Sequence, residues 1–105
     1  MPKYAIPANG ESAEDPIEAF GNRLRAGMIG YLRQHPDQTK AEIAKALDVP
    51  APTVTNALQK LLAAGLLSAD PPQEEWSRGQ RVRYRVRNDV VSELYLQFGQ
   101  AIGEI

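Results

Sequence analysis

Apolar residues recur along most of this chain at the three- and four-residue steps of a helix, and in one stretch at the two-residue step of a strand. Ile17, Phe20, Leu24, Met28 and Leu32 share one helical face. That helix begins near Pro16, with Asp15 as a cap, runs to about Gln34, and stops at His35-Pro36. Thr39 followed three residues later by Glu42 is a capping-box pattern and opens a second helix with Ile43, Ala44 and Leu47 inward. Asp48-Val49-Pro50 is a short turn. Pro52 suits the first turn of a third helix, about residues 52–64, whose inner face is Val54, Ala57, Leu58, Leu61 and Leu62. Gly65 is placed to end it in the left-handed conformation.

Beyond Gly65 the period changes. Leu66 to Ala69 is short and apolar, consistent with a strand, and Pro71-Pro72 excludes a helix. From Gln80 to Arg87 the alternation is strict: Val82, Tyr84 and Val86 face one way, Arg81, Arg83, Arg85 and Arg87 the other. Asn88 or Asp89 then caps a last helix with apolar residues Val91, Leu94, Tyr95, Phe98, Ile102 and Ile105. Gly21, Gly27 and Gly30 either permit a close helix approach or weaken the first helix. Residues 1–15, with Pro2, Pro7, Asn9, Gly10 and several acids, show no period and read as an irregular arm. Two helices joined by a short turn and followed by a hairpin make a mainly α fold with a small β-hairpin wing (α+β), a winged helix-turn-helix. The expected division is 1–15 arm, 16–87 winged helix-turn-helix domain, and 88–105 C-terminal dimerisation helix.

Composition narrows the function. At 105 residues, 43% hydrophobic and 24% charged, the chain suits one globular domain with a modest core, which oligomerisation would help to stabilise. It has no cysteine, so disulfides, thiolate metal sites and cysteine nucleophiles are excluded, and a reducing cytoplasm is expected. No metal or cofactor is expected. No apolar run approaches a membrane span, and the N-terminus lacks a signal-peptide core. The formal net charge of -1 argues against nucleic acid only until its distribution is considered. Acids gather early, at Glu11, Glu14, Asp15 and Glu18; Arg78, Arg81, Arg83, Arg85 and Arg87 crowd late with no acid among them. One basic stripe on a neutral protein can grip phosphates, because affinity depends on the face presented.

The outward face of the third helix carries Pro52, Thr53, Thr55, Asn56, Gln59 and Lys60, and residues 51–64 contain no acid. Asn and Gln pair with adenine in the major groove, Thr offers a hydroxyl and a methyl to thymine, and Lys60 reaches phosphate. An ordinary solvated helix face more often carries Glu, Lys and Arg. Four arginines on one strand face repel each other unless something compensates, and a polyanion would. Arg78 and Gly79 lie near the hairpin tip, where an arginine can enter a narrow minor groove. The bland alternative is an edge strand protected by charge. Thr39 and Lys40, at the start of the second helix, complete the expected DNA-contacting set. Trp76 reads mainly as a packing residue, and His35 as a surface residue with no second histidine to share a metal.

The stretch from Ala41 to Val49 (AEIAKALDV), then Pro52 to Leu61 (PTVTNALQKL), then Ala64-Gly65-Leu66-Leu67 resembles the ArsR/MarR-like winged-helix transcriptional regulators, over about residues 17–87. Arg78 to Val86 looks like that family's basic wing, with spacing that does not match throughout. The resemblance implies a homodimer joined through its first and last helices, here by Phe20, Leu24, Leu94, Tyr95, Phe98 and Ile102, with two recognition helices in successive major grooves. Ala57 stands where the family commonly has histidine, so base preference does not carry over. Metal sensing needs Cys or His clusters, which the chain lacks.

The expected function is therefore a sequence-specific regulator of transcription, a homodimeric repressor of cytoplasmic, nucleoid-associated location, with double-stranded DNA as partner and no assigned effector. The alternatives are an architectural or plasmid- or phage-maintenance DNA-binding protein, and a winged-helix protein–protein module without DNA. An enzyme is poorly supported: no Gly-rich phosphate loop and no recognisable Ser/His/Asp set is present.

Overall fold

The computed structural model of the chain describes residues 22–76 and 81–105. Among these residues, four α-helices and a three-stranded antiparallel sheet alternate in the order α1 (Arg23–Gln34), β1 (Gln38–Thr39), α2 (Lys40–Leu47), α3 (Ala51–Ala63), β2 (Leu67–Asp70), β3 (Arg83–Val86) and α4 (Asn88–Ala101). This is a winged helix-turn-helix. A short 3-10 turn, Gln73–Glu75, follows Pro72 in the β2–β3 connection.

Local chemistry sets the helix ends. Asn22 is extended, and its side-chain carbonyl accepts from the Arg25 amide at 3.1 Å, so α1 starts at Arg23. The helix expected to run from near Pro16 to Gln34 is therefore not continuous through Asn22, where the amide side chain competes with the backbone ladder, and its expected start lies outside the described residues. Ile17, Phe20 and Gly21 lie outside the described residues. At α2 the capping box is complete: the Thr39 hydroxyl accepts from the Glu42 amide, and the Glu42 carboxylate accepts from the Thr39 amide. Asp48, at φ 57, ends α2 in the left-handed region that aspartate tolerates. Gly65, at φ +79, closes α3. The Leu66 amide donates to Leu61 O and the Gly65 amide to Leu62 O, both at 3.0 Å, which is the Schellman pair of bonds. At α4 the expectation fails. The N-cap is Arg87 with no side-chain cap, and Asn88 Oδ1 instead accepts from Arg33 Nε of α1 at 2.8 Å.

The core lies between α1, α2, α3, the sheet and the first half of α4. Met28, Leu32, Ile43, Val54, Leu58, Leu61 and Leu66 are fully buried. Each such side chain contributes on the order of 1.5–3 kcal/mol relative to exposure. Val82, Tyr84 and Val86 turn inward from β3 and its approach, as the alternation requires, while Arg81, Arg83, Arg85 and Arg87 stay exposed. β3 spans only Arg83–Val86 and is the centre of the sheet, in the order β1-β3-β2. β1 has no counterpart in the periodic reading. Two residues are too few to show a period, yet Gln38 pairs with Tyr84 and Thr39 with Arg83. On the far side Leu67, Ser68, Ala69 and Asp70 pair with Val86, Arg85, Tyr84 and Arg83. Added Cβ atoms at Gly27 and Gly30 meet nothing within 4 Å, so neither glycine serves a close approach among the described residues. No helix among the described residues is long and apolar enough to cross a membrane.

Candidate nucleic-acid interface

The helix-turn-helix presents α3 with its apolar stripe inward. Val54, Ala57, Leu58 and Leu61 are buried, which turns Pro52, Thr53, Asn56 and Gln59 to solvent. Thr55 and Lys60 sit at the flanks, partly buried. The exposed positions advance along one side of α3 in steps of three and four, the surface a groove-inserted helix uses. Pro50 precedes the helix and Pro52 lies in its first turn, where missing amides cost nothing.

At the entrance of α2 the expected pair divides. Lys40 is exposed, but Thr39 is 7% exposed and its hydroxyl and amide are both engaged with Glu42. Thr39 therefore orders the helix start, and its engaged hydroxyl and amide leave little of it for the contact role expected of it. Lys40 and Arg81 line a shared cleft of about 490 Å³ with Thr39, Ala41, Trp76, Val82 and Tyr84. Trp76 anchors that cleft: its indole N–H donates to Pro71 O at 2.7 Å, and its ring meets Tyr84 edge-on at 6.4 Å. Burial pushes the Tyr84 hydroxyl above its ordinary pKa.

The arginine stripe changes most. No acid stands among these arginines in the sequence, but three carboxylates flank them in space. Arg85 Nε and Nη2 bind the two oxygens of Asp37 at 3.1 and 2.5 Å, a fork-to-fork pair across 48 positions of chain. Arg83 Nη1 donates to Asp37 O at 3.0 Å and lies 3.9 Å from Glu42 Oε1. Asp70 is directly opposite Arg83 in the β2–β3 register. The Arg85 hydrogen bond holds the Asp37 carboxyl below the usual aspartate range, and Asp37 in turn raises Arg85. The Thr39 amide, and further off Arg83 and Arg81, hold Glu42 low. For Arg83 and Arg85 the compensation that the stripe requires comes from within the chain, because the pairing of β1 with β3 brings Asp37 and Glu42 beside them. Arg81 and Arg87 are exposed at the two ends of the stripe. Arg78 and Gly79 lie outside the described residues.

A second surface lies on the far side of α1. Tyr95, Leu96, Ile102 and Ile105 are large apolar residues at least half exposed. Tyr95 and Leu96, with Ala26, Ile29, Gly30 and Val91, line an apolar groove of about 510 Å³ between α1 and α4, with Arg33 and Ser92 at its rim. Of the expected interface residues, Tyr95 and Ile102 are exposed, Leu24 and Phe98 half-buried, and Phe20 outside the described residues. Leu94 is 4% exposed and belongs to the protomer's own core, so it offers no interface surface. Leu96, missed because it falls off the regular three–four step, is exposed in its place.

Comparison with known proteins agrees with this geometry. Residues 22–74 match the model of the MarR family. A possible transcriptional regulatory protein of Mycobacterium bovis, fragment 1–100, is 25% identical, with 89% of this chain and 90% of that chain covered and a TM-score of 0.62. A solution structure of a homodimeric winged helix-turn-helix DNA-binding domain of Mycobacterium bovis, a possible ArsR-family regulator, is 27% identical, with 80% and 72% covered and a TM-score of 0.59. An ArsR-like transcriptional regulator of Rhodococcus shares the fold at 23% identity, with 82% and 74% covered and a TM-score of 0.60. No functionally curated protein matches the chain.

Proposed function

The chain belongs to the MarR family of winged-helix transcriptional regulators, and from that premise we propose that it is a sequence-specific DNA-binding repressor acting as a homodimer. The observation that carries the reading is α3: an acid-free helix whose exposed side offers Thr53, Asn56 and Gln59, hydrogen-bonding groups suited to base edges. Thr55 and Lys60 flank them toward the backbone. Lys40 and Arg81, both lining the cleft at the α2 entrance, with Arg78 and Gly79 from the sequence reading, supply the phosphate and minor-groove contacts. Residues 88–105 supply the dimer contact through Tyr95, Leu96, Phe98 and Ile102, with Leu24 of α1 beside them. The apolar α1–α4 groove supports this, and so does the homodimeric state of the Mycobacterium bovis domain. A repressor acts by occupying its site, which requires no catalytic group.

The test is selection of bound sequences from a random duplex pool, followed by titration of the selected duplex against salt. A two-fold symmetric site with half-sites about one helical turn apart is the expected result. Several phosphate contacts make log affinity fall steeply with log salt, by about 0.9 per contact. A flat, weak response at low salt excludes the DNA reading and favours a protein–protein module.

A further inference from the structure

We propose that Arg83 and Arg85 are positioning residues that fasten the wing to the entrance of the helix-turn-helix, and that Asp37 is the fixed point to which both are tied. This rests on the DNA-binding reading above and divides its arginines into two kinds.

The fastening is built from both directions. Asp37 is held by its backbone as well as its side chain. Its amide donates to Tyr84 O at 3.0 Å, its carbonyl accepts from Arg83, and its carboxylate takes the Arg85 fork. It sits at φ 64, a conformation open to few non-glycine residues, which points both its carbonyl and its carboxylate at β3. Arg83 then leads on to Glu42, whose carboxylate is pinned by the α2 capping box. β3, Asp37, Glu42 and the α2 entrance thus form one continuous polar chain. The backbone alone is a poor fastening, since the β1–β3 ladder has only two residue pairs.

The same geometry argues against phosphate contact by these two residues. The Arg83 and Arg85 guanidinium groups are paired with the carboxylates of Glu42 and Asp37, with Asp70 opposite Arg83 in the register, so their charges are compensated within the chain. A phosphate would have to displace a bidentate carboxylate and approach two more. Arg81 differs: it stands exposed beside Lys40 at the rim of the cleft.

The experiment measures duplex affinity and its salt slope for Asp37→Asn, Arg85→Lys, Arg85→Ala and the double variant Asp37→Asn/Arg85→Ala. It also measures Trp76 fluorescence anisotropy in the DNA-free protein. Trp76 is the only tryptophan in the chain, and it leans on Tyr84 between the two arginines. Positioning predicts that Asp37→Asn and Arg85→Ala both weaken binding, by roughly three- to tenfold, as the competent wing orientation becomes less populated. The double variant is no worse than either single change, because one contact is lost once. Arg85→Lys behaves like Arg85→Ala, since an ammonium cannot reproduce the fork. The salt slope stays at the wild-type value, and Trp76 anisotropy falls in every variant. Phosphate contact predicts the reverse signs: Asp37→Asn tightens binding and steepens the slope, and Arg85→Lys stays near wild type. That pattern, or unchanged Trp76 anisotropy, overturns the proposal. If wild-type protein shows no salt-dependent duplex binding, the DNA reading fails on its own. The Trp76 measurement then still decides whether the wing is fastened here.

Discussion

Replacing Thr39 with Ala removes two separable contributions from one position, and their sizes can be worked from the structure. The hydroxyl accepts from the Glu42 amide at 3.2 Å; losing such an N-cap costs about 1 kcal/mol, within a range of roughly 0.5–2. The residue is 7% exposed, so its γ-methyl is buried, and deleting a buried methyl costs about 0.8 kcal/mol more. The sum is about 2 kcal/mol, a large part of the ~5–15 kcal/mol typical of a domain. In a domain of this size that lowers the melting temperature by about 10 °C, at ~4–8 °C per kcal/mol. Thr39→Ser keeps the hydroxyl and Thr39→Val keeps the methyl, and each should lose about half the total. The assay is urea unfolding followed by far-UV circular dichroism at fixed protomer concentration, because a dimer's stability depends on concentration. If Thr39→Ser loses as much as Thr39→Ala, packing and not the cap governs the site. A Thr39→Ala loss under ~0.5 kcal/mol refutes both contributions.

Other outcomes follow from single features. Gly65→Ala should cost about 1–2 kcal/mol by denaturant midpoint, purely from the left-handed backbone, since no atom lies within 4 Å of an added Cβ; Gly65→Asn should recover part of it. Tyr95→Glu with Leu96→Glu should yield a folded monomer by sedimentation velocity with weakened duplex binding. Val91 and Leu94 keep α4 docked, and a variant that remains dimeric rules out this face as the interface. Asp37 and Glu42 both have folded pKa values below their ordinary ones, so their contribution to stability is complete above the ordinary carboxylate range and is lost as pH falls through the lowered values. Stability attributable to them should be flat from neutrality to about pH 5 and decline only below about pH 4; a loss already present at pH 6 would contradict the assignment.

Much of the fold was legible because it depends on neighbours three to five positions apart. The Thr39–Glu42 box, the Asp48 turn, the acid-free face of α3, the Gly65 stop and the alternation of β3 are all local, and each appears where the periodicity and end signals put it. Local reasoning erred where two local options competed. Asn22 takes the N-cap position of α1 because its side chain accepts from the Arg25 amide, and Asn88 abandoned the cap of α4 for Arg33, a partner 55 positions away.

The sequence by itself determined the helices, the start of α2, the stop of α3, the helix-turn-helix and the stripe of arginines, since those follow from covalent spacing and helix or strand period. Only the tertiary structure decided what the stripe does. β1, two residues long and without a period, pairs with β3 and carries Asp37 to Arg85, while the capping glutamate of α2 comes to Arg83. Charge along a chain is additive, but charge in space depends on which strands the core packing brings together. Two arginines at the basic end of this sequence are therefore paired with carboxylates of the same chain.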